Sequence, residues 1–358
     1  MSWMPSFPAR RLLRSSLIDA LVGPHGIDSY LELIRPALTV HDARASVQAV
    51  RRQTTRSVTL TLRPNAAFQG FRAGQFVRVG VEIDGVRRTR TYSPACSERA
   101  EFLELTVTAH PDGLVSRWLR ERLAPGAIVH LSQASGSFAL PDPRPERLAL
   151  ISGGSGITPV LSMLRTLCEE GFDGELAFVH YAQTRADWLY RLEVEAIAAR
   201  HRGIRVAYVA TREGDGHASP ESLRQLIGDL DGATAMVCGP PSLIDGVSAF
   251  WPGGLRSETF TPPSLKLALA GERPTAGTIR FQRSGLTAAI ASGSLLEQAE
   301  IAGLSPEFGC RMGICHTCTC RKTAGAVRDL RTGEVSDEED EDIQLCVSVP
   351  VGDVALEI

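Results

Sequence analysis

The chain changes its rhythm at Arg147, and that change limits the folds open to it. Before it, VTLTLRP, QFVRVGVEIDGVRRTRTYS and LELTVTAH alternate apolar and polar residues and carry many β-branched side chains. Gly, Pro and Asp-Gly turns break them up, which predicts a small antiparallel barrel ending near FALPDPRPE. After Arg147, apolar runs alternate with helical patterns: LALISGG, TPVLSMLRTLCEEG, LAFVHYA, LYRLEVEAIAARH, IRVAYVAT and TAMVCGP. That order is the βαβ signature of a parallel sheet. A third pattern opens at TIRFQRSG, where a strand pair precedes the helical SLLEQAEIAG, as suits a small α+β unit. The expected layout is therefore a helical extension over 1–40, a barrel over 41–142 and an α/β unit over 143–262. A Pro- and Ser-bearing linker over 263–275 and an α+β unit over 276–358 complete it. There is no internal repeat.

Composition supports several packed cores: 43% of 358 residues are hydrophobic. Charge is unevenly spread. Residues 276–358 hold seven basic and thirteen acidic residues, a net of −6, while residues 1–275 stand at +3. No basic face with interleaved aromatics suggests a nucleic-acid partner; an acidic domain on a mildly basic body fits electron-transfer docking better. No apolar stretch is long enough for a transmembrane helix. LLRSSLIDALVG is interrupted by Arg14 and Asp19 and lacks the apolar run of a signal peptide. Its helical spacing (Leu12, Leu13, Leu17, Ile18, Leu21) predicts an amphipathic helix packed on the body of the protein, with a membrane surface as the alternative. Eight cysteines without a paired framework suggest a reducing compartment, hence a cytoplasmic protein.

Three of those cysteines stand in one short stretch, CRMGICHTC, with Cys310, Cys315 and Cys318 followed by Cys346 in QLCVS. C-x4-C-x2-C with a remote fourth cysteine is the plant-type spacing for a [2Fe–2S] cluster. The thiolates must converge on one small group, so the loop has to curl; Gly309 and Gly313 permit tight or positive-φ backbone there. A structural zinc site is the competing reading, but zinc ribbons usually pair two C-x2-C knuckles and none surrounds Cys346. Cys320 is expected on the strand leaving the loop, and Cys96 and Cys168 read as ordinary small residues. The acidic run Ser336 to Asp342 reads as a solvated loop before it reads as a docking patch.

ISGGSGITP, from Ile151 to Pro159, follows a predicted strand and opens a predicted helix. Gly153, Gly154 and Gly156 would bring backbone N–H groups close to an anion at the helix N-terminus. Thr158 is expected to cap and Pro159 to take the first helical position. Pro159 stands where the usual dinucleotide fingerprint has glycine, so the motif alone is weak. Ser155 lacks the glycine two positions on that a nucleophile elbow needs. CGPP, from Cys238 to Pro241, ends another strand of the same sheet, and ligands of such sheets sit beyond the carboxyl ends of the strands. RTYS, Arg90 to Ser93, ends a barrel strand, and GLVSRWL, Gly113 to Leu119, is a loop running into a helix.

The joint order RxYS, GxxS, GGxGITP and CGP resembles the ferredoxin–NADP reductase superfamily, here with a C-terminal plant-type ferredoxin domain. The resemblance covers residues 45–358. It implies an antiparallel β-barrel FAD domain, an α/β parallel-sheet nucleotide domain and an α+β ferredoxin-like (β-grasp) domain. It further implies that Arg90 contacts a flavin phosphate beside Thr91, that Tyr92 stacks on the isoalloxazine and that Ser93 lies near flavin N5. Gly113, Leu114, Val115 and Ser116 would hold the pyrophosphate of FAD. Gly153, Gly154, Gly156 and Thr158, with Cys238, Gly239 and Pro240, would bind the pyridine nucleotide. SETF, Ser257 to Phe260, resembles the acidic–aromatic ending of related nucleotide domains and would bring Glu258 to the active site. Thr211 and Arg212 match the Ser–Arg pair that holds the 2′-phosphate in NADPH-dependent relatives, so NADPH is the expected reductant and NADH the alternative.

A nicotinamide delivers two electrons as hydride, whereas an iron–sulfur cluster accepts one at a time, and a flavin handles both. The implied activity is thus a relay from NAD(P)H through FAD and a [2Fe–2S] cluster, ligated by Cys310, Cys315, Cys318 and Cys346, to an external acceptor. DSYLELIRP and the barrel sequence look especially like actinobacterial reductases that serve acyl-lipid desaturases, and related reductases supply oxygenases. A desaturase or oxygenase partner is expected, with peripheral association if that partner sits in a membrane. The rival reading is a redox sensor, in which hydride-transfer geometry would be unnecessary.

Overall fold

Alternating strands before residue 140 build one antiparallel sheet in the computed structural model, which describes residues 26–34, 37–111, 113–228, 231–261 and 276–358. The helix expected at Leu12–Leu21 and the linker at 263–275 lie outside the described residues. The sheet comprises β1 (Arg44–Arg52), β2 (Ser57–Pro64), β3 (Val77–Ile83), β4 (Val86–Tyr92), β5 (Leu103–Thr108) and β6 (Ile128–Leu131). Their order is β4-β3-β6-β1-β2-β5. Just past β4 the chain turns onto the opposite edge: Pro94 bridges Leu105, and the Ala95 N–H donates to the Glu104 carbonyl at 2.7 Å. That pairing joins the two ends of the sheet and curls it into a barrel. Leu60, Leu62, Val77, Val79 and Leu105 fill its inside. Helix α1 (Gly26–Ile34) is tied to the barrel by Asp28, which accepts the N–H groups of Val40, His41 and Asp42 at 2.5, 2.9 and 2.9 Å. Glu32 pairs with the buried Arg44.

The second sheet is parallel, in the order β11-β10-β7-β8-β9. Its strands are β7 (Arg147–Gly153), β8 (Glu175–Ala182), β9 (Ile204–Ala210), β10 (Thr234–Cys238) and β11 (Leu255–Glu258). After α2 (Leu114–Glu121) in the barrel region, its helices are α3 (Ile157–Glu170), α4 (Arg191–Ala198), α5 (Pro220–Ile227) and α6 (Pro241–Ser248). β7 lies between β10 and β8, and all but its first residue are buried, as a strand covered on both faces requires. α3 ends at Gly171, whose φ of +73° gives the left-handed cap that glycine adopts without strain.

Barrel and parallel sheet belong to one compact unit, Met1–Thr259. Arg165 of α3 links them. Its guanidinium donates to Glu104 of β5 at 2.6 Å, to the Ala95 carbonyl at 2.8 Å and to both oxygens of Glu193 in α4 at 2.7 and 2.9 Å. Tyr190, held at a φ of +58°, bonds Thr59 at 2.9 Å and also Thr106.

The second unit, Phe260–Ile358, is a mixed sheet in the order β13-β12-β17-β14-β15, with β16 also on β14. The strands are β12 (Thr278–Phe281), β13 (Leu286–Ala289), β14 (Thr319–Asp329), β15 (Val335–Ser336), β16 (Glu341–Gln344) and β17 (Ser348–Leu356). β12 pairs parallel with β17 while β14 pairs antiparallel with it, the β-grasp arrangement expected. Helix α7 (Leu295–Ile301) begins with a capping box between Ser294 and Glu297 and packs Leu295, Leu296 and Ala299 into the core.

Candidate active site and cluster loop

Two glycine-rich turns meet at the carboxyl ends of β7 and β10. Ser152 and Cys238 are register partners in these strands, so the GGSG and CGP turns leave the sheet side by side. They touch backbone to backbone. A Cβ on Gly156 would stand 2.2 Å from the Cys238 carbonyl oxygen, and one on Gly239 would stand 3.1 Å from the Gly153 nitrogen. Gly154 serves differently: its φ is +56° and nothing lies within 4 Å of a Cβ there.

Thr158 does not cap α3. A 3-10 turn over Gly154–Gly156 starts the helix early, Ile157 is its first residue, and Pro159 is its third rather than its first. The Thr158 hydroxyl donates back to the Ser155 carbonyl at 3.3 Å. α3 therefore has no side-chain cap, and its first-turn N–H groups suit an anionic ligand. α2 is alike. Gly113 caps it without a side chain, while the Ser116 hydroxyl turns back to the Gly113 carbonyl and accepts from the His110 N–H, each at 3.2 Å. Leu114 and Val115 occupy the first two positions of that uncapped turn, one exposed and one buried.

RTYS lies at the end of β4, with Tyr92 opposite Val77 and Arg90 opposite Val79 on β3. The chain after it is bonded to α3: Ser162 donates to the Cys96 carbonyl at 2.6 Å, and Arg165 to Ala95. Burial pushes the Tyr92 phenol well up, against the opposing pull of Arg90, so the ring is a neutral aromatic surface. Ser93 is buried and its Oγ has no partner. A hydroxyl shut away without a partner is costly and suits a polar ligand atom that would complete it. That orphan, the uncapped start of α2 and the Tyr92 ring are the features that fit a flavin dinucleotide, and the uncapped start of α3 fits a second nucleotide.

Glu258 ends β11 beside Cys238, and its carbonyl accepts the Gly239 N–H at 3.2 Å. Its Oε2 is buried without a partner, and burial pushes the carboxyl up to about 8. The fully buried Cys238 thiol is pushed well above its ordinary value by burial and then by Glu258, so it is no thiolate nucleophile. Thr211 and Arg212 follow β9, tied by their N–H groups to the Ala182 and Gln183 carbonyls at 2.9 Å each. Arg212 is exposed, and among the described residues no side-chain hydrogen bond or ion pair ties it. Arg185, another basic residue near this edge, is bound to Glu213 at 2.9 Å and Asp215 at 3.0 Å and lies over the Trp188 ring.

Four of the five cysteines of the second unit fall into two pairs. Cys310 donates its backbone N–H to the Cys315 sulfur at 3.2 Å, and the Leu345 N–H bonds the Cys318 carbonyl at 3.1 Å, bringing Cys346 to Cys318. The loop curls through positive φ at Arg311, Gly313 and His316, and a Cβ on Gly309 would meet the Cys315 sulfur at 2.8 Å. The Cys310 thiol bonds Cys315 and holds it below the ordinary thiol range, and the Cys346 thiol does the same for Cys318. Among the described residues, no three His, Cys, Asp or Glu side chains are arranged around a single ion. Two pairs fit a two-iron cluster with two thiolate ligands per iron, rather than one tetrahedral zinc. Cys320 sits on β14 as expected, outside both pairs, with its thiol pushed up to about 11 by burial.

Residues that the sequence reading did not single out include Arg165, Tyr190 and Arg331. The first had one signal, a cation inside the apolar TPVLSMLR helix.

Three family models match in series: an oxidoreductase FAD-binding domain over residues 45–140, an oxidoreductase NAD-binding domain over 150–249 and a 2Fe-2S iron-sulfur cluster binding domain over 279–351. An NADPH oxidoreductase of Mycobacterium tuberculosis is 36% identical over 92% of this chain and 88% of its own. A glycine betaine monooxygenase reductase subunit of Pseudomonas aeruginosa is 30% identical over 80% and 87%. Phthalate dioxygenase reductase shares the fold, with a TM-score of 0.62 at 23% identity, over 88% of this chain and 97% of that one. The chain belongs to the ferredoxin–NADP reductase superfamily, in the group that carries a C-terminal [2Fe–2S] domain. It is an NAD(P)H oxidoreductase with FAD and a [2Fe–2S] cluster as its cofactors.

Proposed function

We propose that the protein oxidises NADPH and delivers single electrons, through FAD and its [2Fe–2S] cluster, to an external iron oxygenase. The observation that carries this reading is the junction of the GGSG and CGP turns beside an uncapped α3, whose helix is bonded to the segment after RTYS. When bound, FAD would supply the conversion between a two-electron hydride donor and a one-electron cluster, which suits one-electron acceptors. In this arrangement Arg90 and the first turn of α2 (Gly113 to Ser116) hold FAD phosphates, Thr91 continues the strand and Tyr92 stacks on the ring. Ser93 Oγ completes its hydrogen bonding on the ring edge. Gly153, Gly154, Gly156 and Thr158 seat the nucleotide phosphates. Cys238, Gly239 and Pro240 form the wall against which the nicotinamide is oriented. Glu258, protonated at neutral pH, holds a proton at its carboxyl next to that wall. Cys310, Cys315, Cys318 and Cys346 are the cluster ligands.

NADPH is favoured over NADH because Arg212 is unengaged while Arg185 is committed to two carboxylates. The oxygenase is favoured by the relatives that are named as monooxygenase reductase subunits. A fatty-acid desaturase, membrane-bound and met peripherally, is the second reading of the acceptor, supported by the likeness of the N-terminal third to desaturase-serving reductases. No described helix is long and apolar enough to cross a membrane. Anaerobic NADPH should bleach the flavin and generate the electron paramagnetic resonance signal of a reduced two-iron cluster. Cys315→Ser should keep the bleaching and lose the signal. Zinc without acid-labile sulfide in the wild type would defeat the reading.

A further inference from the structure

Arg331 reaches into the cluster loop from the far end of β14. Its Nη1 donates to the Gly313 carbonyl at 2.7 Å, midway between Cys310 and Cys315. Asp329 fixes it from behind: Nη2 donates to Oδ2 at 2.7 Å, Nε lies 3.2 Å from Oδ1, and the Arg331 backbone N–H donates to Oδ1 at 2.7 Å. Between them, the Leu330 N–H bonds the Val347 carbonyl at 2.7 Å, one residue past Cys346. The turn is thus braced against both parts of the chain that supply ligands. Hydrogen bonding and charge from Asp329 keep the guanidinium charged, with Cys346 and Cys310 adding to the same effect. Against the cost of burial, Arg331 holds the Asp329 carboxyl below its usual range.

We propose that Arg331 and Asp329 are an opposed charge pair that sets the reduction potential of the cluster, the guanidinium raising it and the carboxylate lowering it. Reduction adds one electron to a group already negative from its four thiolates, and no proton need accompany it. A fixed cation at the loop carbonyl favours the reduced state, whereas a fixed anion two residues away opposes it. Both side chains are partly exposed, at 39% and 28%, so solvent screens the effect without abolishing it. A brace acting only through packing would have no sign.

The test is a redox titration of the full-length holoprotein, followed by the cluster's electron paramagnetic resonance signal. Iron and labile-sulfide analysis comes first, so that loss of the cluster is told apart from a shift in it. Arg331→Gln should lower the midpoint by about threefold in the one-electron equilibrium, ~28 mV at 59 mV per tenfold. Asp329→Asn keeps the backbone acceptor of the turn and should raise the midpoint by a similar factor. Arg331→Lys, which keeps charge but loses the fork, should shift less than Arg331→Gln and in the same direction. Arg283→Gln, on the strand connection at Glu357, should leave the midpoint unchanged. Shifts of Arg331→Gln and Asp329→Asn in the same direction, or none in either with full cluster content, would overturn the proposal. If Arg331→Gln cannot hold a cluster, the rise in Asp329→Asn decides alone.

Discussion

Gly156 lies against Cys238 so closely that no side chain fits between them: a Cβ would stand 2.2 Å from the carbonyl oxygen and 2.6 Å from the carbonyl carbon. Those are backbone atoms of a strand end, and they cannot swing aside. The glycine is required for contact and not for conformation, because its φ is −63°. Gly154, two residues earlier, is the reverse case, with open space and a φ of +56°.

The two glycines should therefore fail differently. Gly156→Ala overpacks the turn and should cost about 1–3 kcal/mol, with a raised KM for NADPH as the CGP turn is displaced. Gly154→Ala places a side chain in the left-handed region and should cost roughly 1–2 kcal/mol. Asparagine, which visits that region readily, should restore most of the loss at 154 and none at 156. Thermal melts and NADPH kinetics on the four variants check this; equal rescue at both sites would refute the assignment of roles.

Arg165 gives a second prediction. Its guanidinium satisfies Glu104, Glu193 and the Ala95 carbonyl at once, joining barrel and parallel sheet. Arg165→Met strands two carboxylates. Breaking a well-buried pair costs ~3–5 kcal/mol, and the partial exposure of Glu193 brings the expected loss to about 2–3 kcal/mol. Glu104→Gln with Glu193→Gln in the same chain should recover part of it, as urea unfolding followed by FAD fluorescence would show.

The proposed preference for NADPH rests on Arg212. A charge-assisted contact to the 2′-phosphate contributes about 1.5–3 kcal/mol, so Arg212→Ala should raise the KM for NADPH roughly ten- to a hundredfold. The KM for NADH should barely move. Arg185→Ala should leave both unchanged, since its charge is spent on Glu213 and Asp215. Steady-state kinetics with both nucleotides decide between the two arginines, and an indifferent Arg212 variant leaves that residue as ordinary surface.

What could be read from the chain beforehand followed from local physics. Period-2 strands, the βαβ rhythm, and a cysteine spacing that must converge on a compact group each act over a few residues. The early start of α3 escaped because a 3-10 turn of three small residues carries no capping signature; Thr158 and Pro159 invited a helix that begins one to two residues later. The pairing of Cys238 with Glu258 depends on β11 lying beside β10, a strand order that no local pattern announces. Tyr190 meets Thr59 across 131 residues of chain, and Arg331 reaches Gly313 across 18, each through a fold that had to exist first.

Glu258 makes the last prediction, a pH dependence with a definite sign. Burial raises its folded-state value to about 8 from an ordinary 4.5. Between those values the folded protein keeps a proton that the unfolded chain releases. Stability must then fall as pH rises through that window and level off above about 8, by an amount on the order of a few kcal/mol. This is the reverse of a salt-bridged carboxylate, which stabilises more as pH rises. Glu258→Gln has no proton to lose, so it should flatten the stability profile from this site and be relatively more stable than wild type at pH 9. The same titration should appear in turnover. Below about pH 8 the buried carboxyl beside the Cys238–Gly239 turn is neutral; above it, a negative charge takes its place. Wild-type kcat with NADPH should decline on that alkaline limb, and Glu258→Gln should lose the limb even if its plateau is lower. Parallel pH series of thermal melts and of kcat test both parts. An alkaline limb unchanged in Glu258→Gln would place the titrating group elsewhere.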